Sequence, residues 1–251
     1  MKKFILSFFL LILFQSCKNE PQHLIKIEGK LLPVNSEITA KPSIENFIKP
    51  YKEKVDNEMS KVLSFTPIDL NRYDGELESS LGNLMADLCF ERANPIFLSR
   101  TKKNIDFSMF NFGGIRAGIT KGNVTTQHAF QLMPFENSLV VVELSAEKIY
   151  ELIDYLISQN RAHPISKHVK FQINKGSHSF KINSKEIDNT KTYFVLTSDY
   201  LQNGGDSMNF FKDPINLYKL DYKVRNSIID YFSETDTLTT KLDGRFKNTA
   251  L

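Results

Sequence analysis

Helical and strand-like patterns of apolar residues alternate along most of this chain, and this alternation restricts its fold more than any other feature. Apolar spacing predicts helices over residues 44–63, 81–93, 126–132, 145–158 and 221–232. Runs of apolar and β-branched residues predict strands over residues 106–110, 139–144, 169–173, 179–182 and 193–197. Because helices and strands interleave, we predict a mixed α/β fold in which helices cover the sheets.

Short polar residues mark where several of these elements begin or turn. Ser43 and Ser145 each precede a helical pattern, where a hydroxyl can cap the first turn. Either Ser79 or Ser80 is expected to cap the helix that follows them. The Lys-Gly pair at residues 175–176 separates two strand patterns and predicts a hairpin turn.

The first residues predict export and are not expected to belong to the fold. Lys2 and Lys3 precede an apolar run over residues 4–14, which is too short to cross a bilayer as a mature helix but suits the core of a signal peptide. The run leads to Cys17 and resembles a bacterial lipobox. We predict a signal peptide over residues 1–16 and lipidation of Cys17. An ordinary secretory signal is the alternative.

Lipidation would anchor the mature chain to a bacterial membrane in the cell envelope. Residues 17–42, which contain three prolines, are predicted to be a tether, and residues 43–251 to form one domain with its core at residues 65–235. A lipidated Cys17 leaves Cys89 without a disulfide partner, so we expect Cys89 to be a small buried hydrophobic residue.

The composition argues against a nucleic-acid-binding protein. The formal net charge is only +3, and no stripe of basic residues that could follow a phosphate backbone is visible. The hydrophobic fraction of 41% is ordinary for a globular protein and sufficient for a sizeable core. We therefore expect no nucleic-acid partner.

Two glycine-rich loops each follow a predicted strand. Their sequences are Asn111-Phe112-Gly113-Gly114-Ile115-Arg116 and Asn203-Gly204-Gly205-Asp206. Paired glycines let the backbone turn sharply or come close to a ligand. Arg116 can bind an anion such as a carboxylate or a phosphate, and Asp206 can accept hydrogen bonds from a vicinal diol such as that of ribose. Each glycine pair taken alone also fits an ordinary turn.

Two aromatic residues lie in predicted loops. Phe135 follows a proline, and Tyr200 lies just before the second glycine pair. A loop aromatic either packs down onto the core or is offered to a ligand. Two such rings on different loops could hold a purine between them, because stacking contributes about 1–3 kcal/mol per base.

Four motifs, in this order, resemble those of the C-terminal, substrate-binding domain of 5′-nucleotidases. They are Leu81-Gly82-Asn83-Leu84-Met85-Ala86-Asp87, Asn111-Phe112-Gly113-Gly114-Ile115-Arg116, Met133-Pro134-Phe135 and Asn203-Gly204-Gly205-Asp206. The resemblance covers about residues 65–235, and motifs in the correct order are more specific than any one of them. It implies a layered αββα sandwich that binds a nucleotide or nucleoside.

The resemblance also implies roles for individual residues. Phe135 and Tyr200 match the positions that sandwich the base. Family members usually have phenylalanine at the second position, and tyrosine keeps its stacking face. Asp206 matches the position that binds ribose hydroxyls, and Asn111 and Arg116 match positions that reach the base, the ribose or the phosphates. The rest of the implied substrate-binding set comprises Gly113, Gly114, Asn203, Gly204 and Gly205.

The chain departs from the family in two places. The family usually has an arginine shortly before the first motif, and Arg72 does not align cleanly with it, so its role is left open. After Asp206, Ser207 and Met208 replace the usual glycine and aromatic residue, so the shape of this loop is also left open.

No motif of a metallophosphatase appears in the sequence. The family hydrolyses phosphate esters with two metal ions, held by segments such as Asp-x-His and Gly-Asn-His-Glu, and neither segment is present. Histidines are scattered, and His163 and His168 are expected to face solvent. We therefore assign no catalytic residue, metal or other cofactor to this chain, and expect divalent metals only in a partner metallophosphatase.

Three hypotheses follow from the sequence. The chain either forms a 5′-nucleotidase together with a separate metallophosphatase chain, or acts as a stand-alone nucleotide-binding lipoprotein, or keeps only the fold. Arg225, on the last predicted helix, is either a surface charge or a partner contact. The preferred base, the number of phosphates, the membrane face and the oligomeric state are left open.

Overall fold

The computed structural model describes residues 23–36 and 38–249. The predicted signal peptide and Cys17 lie outside the described residues. The chain divides into two compact parts after Ile48. In the first part, residues 23–36 and 38–41 have no helix or strand and are exposed. The extent of the predicted tether stays a prediction.

Helix α1 spans Pro42–Ser60 and runs across this division. The predicted helix at residues 44–63 was therefore placed too late at both ends. Proline suits the first helical turn, where its missing N–H has no partner to lose, and Ser43 accordingly lies inside the helix instead of capping it. At the other end, Val62 belongs to a strand and not to the helix, because it pairs with Thr125, more than sixty residues away.

Ten strands lie in the described residues of the second part. They are β1 (Val62–Thr66), β2 (Phe107–Ser108), β3 (Gly122–Thr125), β4 (Ser138–Ser145), β5 (Val169–Asn174), β6 (Ser177–Ile182), β7 (Lys185–Glu186), β8 (Thr192–Ser198), β9 (Asn216–Lys223) and β10 (Phe246–Asn248). They form a two-stranded sheet, β1-β3, and two four-stranded sheets of order β2-β8-β4-β9 and β10-β5-β6-β7.

Five further helices lie in the same part: α2 (Ser80–Thr101), α3 (Thr126–Leu132), α4 (Ala146–Gln159), α5 (Asp199–Gln202) and α6 (Val224–Glu234). The Ser79 hydroxyl caps α2 by accepting from Gly82 N at 3.0 Å, and Ser145 caps α4. Helix α2 continues to Thr101, past the predicted end at residue 93. Its neighbours bury it on several sides, so no single apolar stripe marks its full length in the sequence. Helix α6 begins at Val224, since the residues before it complete β9.

The two four-stranded sheets share one apolar core. Phe107 of β2 meets Phe180 of β6 with ring centroids 6.3 Å apart, and the buried residues of both sheets form a single cluster. Helix α4 packs against β4, and α2 packs against β2, β9 and α6. Each fully buried aliphatic or aromatic side chain adds about 1.5–3 kcal/mol to this core. The predicted layered α/β fold is confirmed.

Cys89 lies in α2 and is buried, as predicted. Its Sγ is 3.5 Å from the Ser227 hydroxyl of α6. Burial raises the pKa of this thiol to about 12, so it stays protonated and unreactive at neutral pH.

Candidate functional site

The strand directions bring three loops to one end of the β2-β8-β4-β9 sheet. Strands β2 and β8 are parallel neighbours, with Phe107 beside Val195, so the loops that follow them leave the sheet at the same end. Strand β4 is antiparallel to β8, with Leu139 beside Ser198, so the loop that precedes β4 also lies at that end. These three loops contain the two glycine motifs and Phe135.

The first glycine loop follows β2 as a single 3₁₀ turn over Phe112–Gly114. A Cβ on Gly114 would lie 2.7 Å from the Asn111 Oδ1 atom, so only glycine lets this turn close over the Asn111 side chain. The glycine is therefore required by the position of Asn111.

Arg72 binds the backbone of this loop. Its Nη1 donates to the carbonyl oxygen of Phe112 at 3.3 Å and to that of Ile115. Its guanidinium carbon lies 4.7 Å from the centroid of the Phe112 ring. The role left open by the sequence is thus, in this structure, to position the glycine loop through its backbone.

His163 supports the same loop from another side. Its Nδ1 accepts a hydrogen bond from Phe112 N at 3.2 Å, which requires a neutral ring. The residue is only 5% exposed, and burial lowers the pKa of its imidazole to about 4. The expectation that His163 faces solvent was wrong. His168 is half-buried and stacks on Phe90 with centroids 3.8 Å apart. Both rings are held by packing that their spacing in sequence did not reveal.

The second glycine loop follows β8 and α5. Gly204 has φ +86°, a conformation that favours glycine, and Asp206 has φ +51°. A Cβ on Gly205 would lie 2.7 Å from Tyr200 Cδ1 and closer still to Cε1, so the Tyr200 ring rests against a bare backbone. The glycine pair therefore sets the position of both Tyr200 and Asp206. Asn203 donates to the Asp199 carbonyl and stabilises the turn.

The Asp206 carboxylate joins the two glycine loops. Asn111 Nδ2 donates to Asp206 Oδ2 at 2.7 Å, and the Tyr200 hydroxyl donates to Asp206 Oδ1 at 2.9 Å. The Tyr155 hydroxyl of α4 donates to the main-chain oxygen of Asp206 at 2.9 Å. The hydrogen bond to the carboxylate raises the pKa of Tyr200, since it stabilises the protonated phenol.

Arg225 of α6 holds the loop that contains Phe135. The residue is 8% exposed, and its Nη1 donates to the carbonyl oxygens of Met133 at 3.4 Å and Phe135 at 3.2 Å. Its Nη2 pairs with Glu136, and this hydrogen bond lowers the pKa of the Glu136 carboxyl. Arg225 is thus an internal clamp and not a surface charge.

A pocket of about 250 Å³ lies among these loops. The residues that line it are Asn111, Gly113, Gly114, Arg116, Phe135, Asn137, Tyr200 and Asp206. Seven of these belong to the predicted substrate-binding set, and Asn137 does not. The remaining predicted residues, Asn203, Gly204 and Gly205, shape the second loop without lining the pocket.

The pocket combines aromatic faces, one cation and one carboxylate. Phe135 and Tyr200 remain 41% and 45% exposed, which is high for large rings and leaves their surfaces accessible from the pocket. The Arg116 guanidinium carbon lies 5.9 Å from the Phe135 ring centroid, within cation–π range. Such a pocket can stack a planar heterocycle and bind hydroxyl and anionic groups.

The first sequence motif lies away from this pocket and stabilises the fold. Asp87 accepts two hydrogen bonds from Arg245, at 2.9 Å each, and Arg245 also binds Asp243 at 2.8 Å. Arg245 directly precedes β10 and is 5% exposed. The motif therefore fastens the last strand to α2.

In the part of the chain that the structure describes, we find no cluster of candidate metal ligands and no helix able to span a membrane. No three His, Cys, Asp or Glu residues within 23–36 and 38–249 are grouped so that they could hold a metal ion. Over the same residues, no helix is both long and apolar enough to cross a bilayer.

Known proteins resemble this chain over most of its length. An apyrase of Tabanus yao is 21% identical, with 91% of this chain and 45% of the apyrase aligned. The trifunctional nucleotide phosphoesterase protein YfkN of Bacillus subtilis is 26% identical, over 88% of this chain and 16% of its own length. Human 5′-nucleotidase is 22% identical, over 91% and 44%. The chain thus spans less than half of each of these relatives.

Solved structures share the fold. A 5′-nucleotidase precursor from Thermus thermophilus superposes with a TM-score of 0.64 at 23% identity, over 81% of this chain and 42% of its own. NAD nucleotidase from Haemophilus influenzae superposes with a TM-score of 0.55 at 18% identity, over 84% and 42%. The model of the family described as 5′-nucleotidase, C-terminal domain, matches residues 60–213. That match covers more than half of the sequence, and the chain belongs to the 5′-nucleotidase C-terminal domain family.

Proposed function

We propose that this chain binds a nucleotide or nucleoside as the substrate-recognition part of a 5′-nucleotidase-type hydrolase. The base stacks between Phe135 and Tyr200, Asp206 binds the ribose hydroxyls, and Asn111 and Arg116 make polar contacts. One observation supports this most: a carboxylate, two exposed aromatic rings and an arginine from three separate loops line the same pocket.

The chemistry of Asp206 suits a vicinal diol. An ionised carboxylate has about four acceptor positions, and the hydrogen bonds from Asn111 and Tyr200 occupy one on each oxygen. Each oxygen can therefore accept one more hydroxyl. Two adjacent hydroxyls of a ribose match that arrangement.

The hydrolytic step is proposed to need a separate metallophosphatase chain. The relatives named apyrase and 5′-nucleotidase are more than twice as long as the part that aligns with this chain. Two metal ions in such a partner would polarise the phosphate and activate water. Lipidation of Cys17, also proposed, would anchor the recognition subunit to a membrane of the cell envelope.

Calorimetry with adenosine and AMP tests the binding site. The double variant Phe135→Ala/Tyr200→Ala is expected to lose binding by more than about tenfold, because two stacking contacts of about 1–3 kcal/mol each are removed. Tyr150→Ala is the matched control, since Tyr150 is 41% exposed on α4 and lies outside this pocket. Equal binding by the double variant, or none by the wild type, would contradict the proposed site.

A reconstitution assay tests the hydrolytic role. Purified chain is mixed with candidate metallophosphatase chains, AMP and a divalent metal, and released phosphate is measured. We expect phosphate release above that of the phosphatase alone with the correct partner. Retained adenosine binding without any such gain would favour the stand-alone nucleotide-binding lipoprotein.

A further inference from the structure

The two glycine loops are joined at two places, one in the pocket and one away from it. In the pocket, Asn111 Nδ2 donates to Asp206 Oδ2 at 2.7 Å. Asn111 is half-buried and Asp206 is exposed, so water and a bound ligand both compete with this hydrogen bond. A link that no ligand reaches would keep the loops together when the pocket is filled.

That second link runs through Tyr155 of α4 and His163. The Tyr155 hydroxyl donates to the main-chain oxygen of Asp206 at 2.9 Å. The Tyr155 ring contacts the His163 ring, with centroids 5.5 Å apart, and His163 Nδ1 accepts from the Phe112 N–H at 3.2 Å. Neither Tyr155 nor His163 lines the pocket. The pair therefore forms a continuous path from the backbone of the second glycine loop to that of the first.

Both rings are held by their surroundings. His163 is only 5% exposed, and the Tyr155 ring also packs on the buried Phe210, with centroids 5.4 Å apart. The carbonyl oxygen of Pro164 accepts from Phe110 N at 2.9 Å, which fastens the His163 segment to the residue just before the first glycine loop. Because close-packed groups cannot shift independently, a displacement at one end of this path is transmitted to the other.

The hydrogen bonding of His163 indicates a role in positioning the loop. With Nδ1 as acceptor, the ring proton lies on Nε2, and this buried nitrogen has no hydrogen-bond partner within residues 23–36 and 38–249. A buried donor without an acceptor destabilises the fold. A hydrocarbon side chain would avoid that penalty but would leave the Phe112 N–H without its acceptor. The histidine thus keeps the first glycine loop bonded although its own second nitrogen is unpaired.

We propose that Tyr155 and His163 are positioning residues that hold the two glycine loops at a fixed separation, so that the stacking, sugar and polar contacts of the nucleoside site form together. Its consequence for binding rests on the proposed nucleoside site, whereas the coupling between the loops does not. Loosening one loop through this pair should therefore loosen the other loop as well.

Amide hydrogen exchange, followed by NMR in the full chain without ligand, tests the coupling. Tyr155→Phe removes the hydroxyl that binds the second loop and keeps the ring. We expect the Gly114 and Arg116 amides of the first loop to exchange about 3- to 10-fold faster, although no bond to that loop is removed. Tyr150→Phe is the matched control, because the Tyr150 hydroxyl of the same helix donates to Asn189 at 3.0 Å, outside the pocket.

The reciprocal variant, His163→Leu, removes the acceptor for the first loop and leaves the bond from Tyr155 to Asp206. We expect the Gly204 and Met208 amides of the second loop to exchange about 3- to 10-fold faster. Faster exchange that is confined in each variant to the loop that lost its bond would overturn the coupling. Unchanged exchange in both loops would overturn it as well.

Calorimetry with adenosine tests the consequence for binding. The Kd for adenosine should rise about 3- to 10-fold in Tyr155→Phe and keep its wild-type value in Tyr150→Phe. Wild-type affinity in Tyr155→Phe, together with faster exchange in both loops, would overturn the positioning role and leave the nucleoside site standing. Absence of adenosine binding by the wild type would overturn the nucleoside site and the positioning role together, while the exchange rates still show whether the loops are coupled.

Discussion

Replacing His163 by glutamine should remove much of the dependence of stability on pH between pH 8 and pH 5. His163 is buried, and its Nδ1 accepts from the Phe112 main-chain N–H. The glutamine carbonyl can accept the same bond but does not titrate in this range. The variant therefore isolates the effect of protonation from that of the contact.

The sign follows from the two pKa values. Burial lowers the pKa of His163 in the folded chain to about 4, from an ordinary value of 6.5. The neighbouring charges act in opposite directions, because Asp206 raises this pKa and Arg161 lowers it. Between the two values the unfolded chain binds more protons than the folded chain. The contribution to stability is therefore complete above pH 6.5 and is lost as the pH falls toward 4.

The magnitude is measurable. A tenfold difference in proton affinity corresponds to about 1.4 kcal/mol, so the full effect is about 3 kcal/mol, of which about 2 kcal/mol is lost by pH 5. Such a loss is a large share of the stability of an ordinary domain, about 5–15 kcal/mol. Protonation of the other titratable groups affects wild type and variant alike and cancels in their difference.

Urea unfolding followed by circular dichroism at pH 8, 7, 6 and 5 provides the test. The free energy of unfolding of wild type should fall by about 2 kcal/mol more than that of His163→Gln over this range. His178→Gln is the control, since His178 is exposed on β6. If the difference between wild type and His163→Gln stays constant within about 0.5 kcal/mol, the reasoning from burial is wrong.

Three further substitutions test the supports of the site and the fold. Arg225→Met should lower the free energy of unfolding by about 2–3 kcal/mol in urea, through lost backbone hydrogen bonds, and should weaken adenosine binding because the Phe135 loop loses its clamp. Gly205→Ala should displace the Tyr200 ring and weaken adenosine binding about tenfold by calorimetry, and unchanged affinity would contradict the close contact. Ser79→Ala should cost about 1 kcal/mol in urea unfolding without changing adenosine affinity, because only the cap of α2 is lost.

Elements with strong local determinants could be read from the sequence. The hairpin of β5 and β6 turns at Gly176, at φ +77°, where glycine is the residue that adopts this conformation freely. Helix α3 spans Thr126–Leu132, as predicted, and Ser145 caps α4. In each case the preferences of a few adjacent residues mark the element in the sequence, although the folded elements also contact distant segments.

Elements decided by pairing could not be read in the same way. Strands β1, β3, β7, β9 and β10 were not predicted. Strand β9 is an edge strand whose side chains are largely exposed, so it shows little apolar alternation. Its partner β4 lies more than seventy residues earlier, and only their register makes it a strand. A non-local hydrogen-bond ladder leaves no mark in a short window of sequence.

The sequence by itself determined the α/β class, the family resemblance and seven of the eight residues that line one pocket. Only the tertiary structure decided how that pocket is held. Arg72, His163 and Arg225 each contact a site loop through its backbone, from positions between about forty and ninety residues away. Because backbone carbonyl and amide groups are the same in every residue, nothing in the loop sequences indicates which distant side chain will bind them.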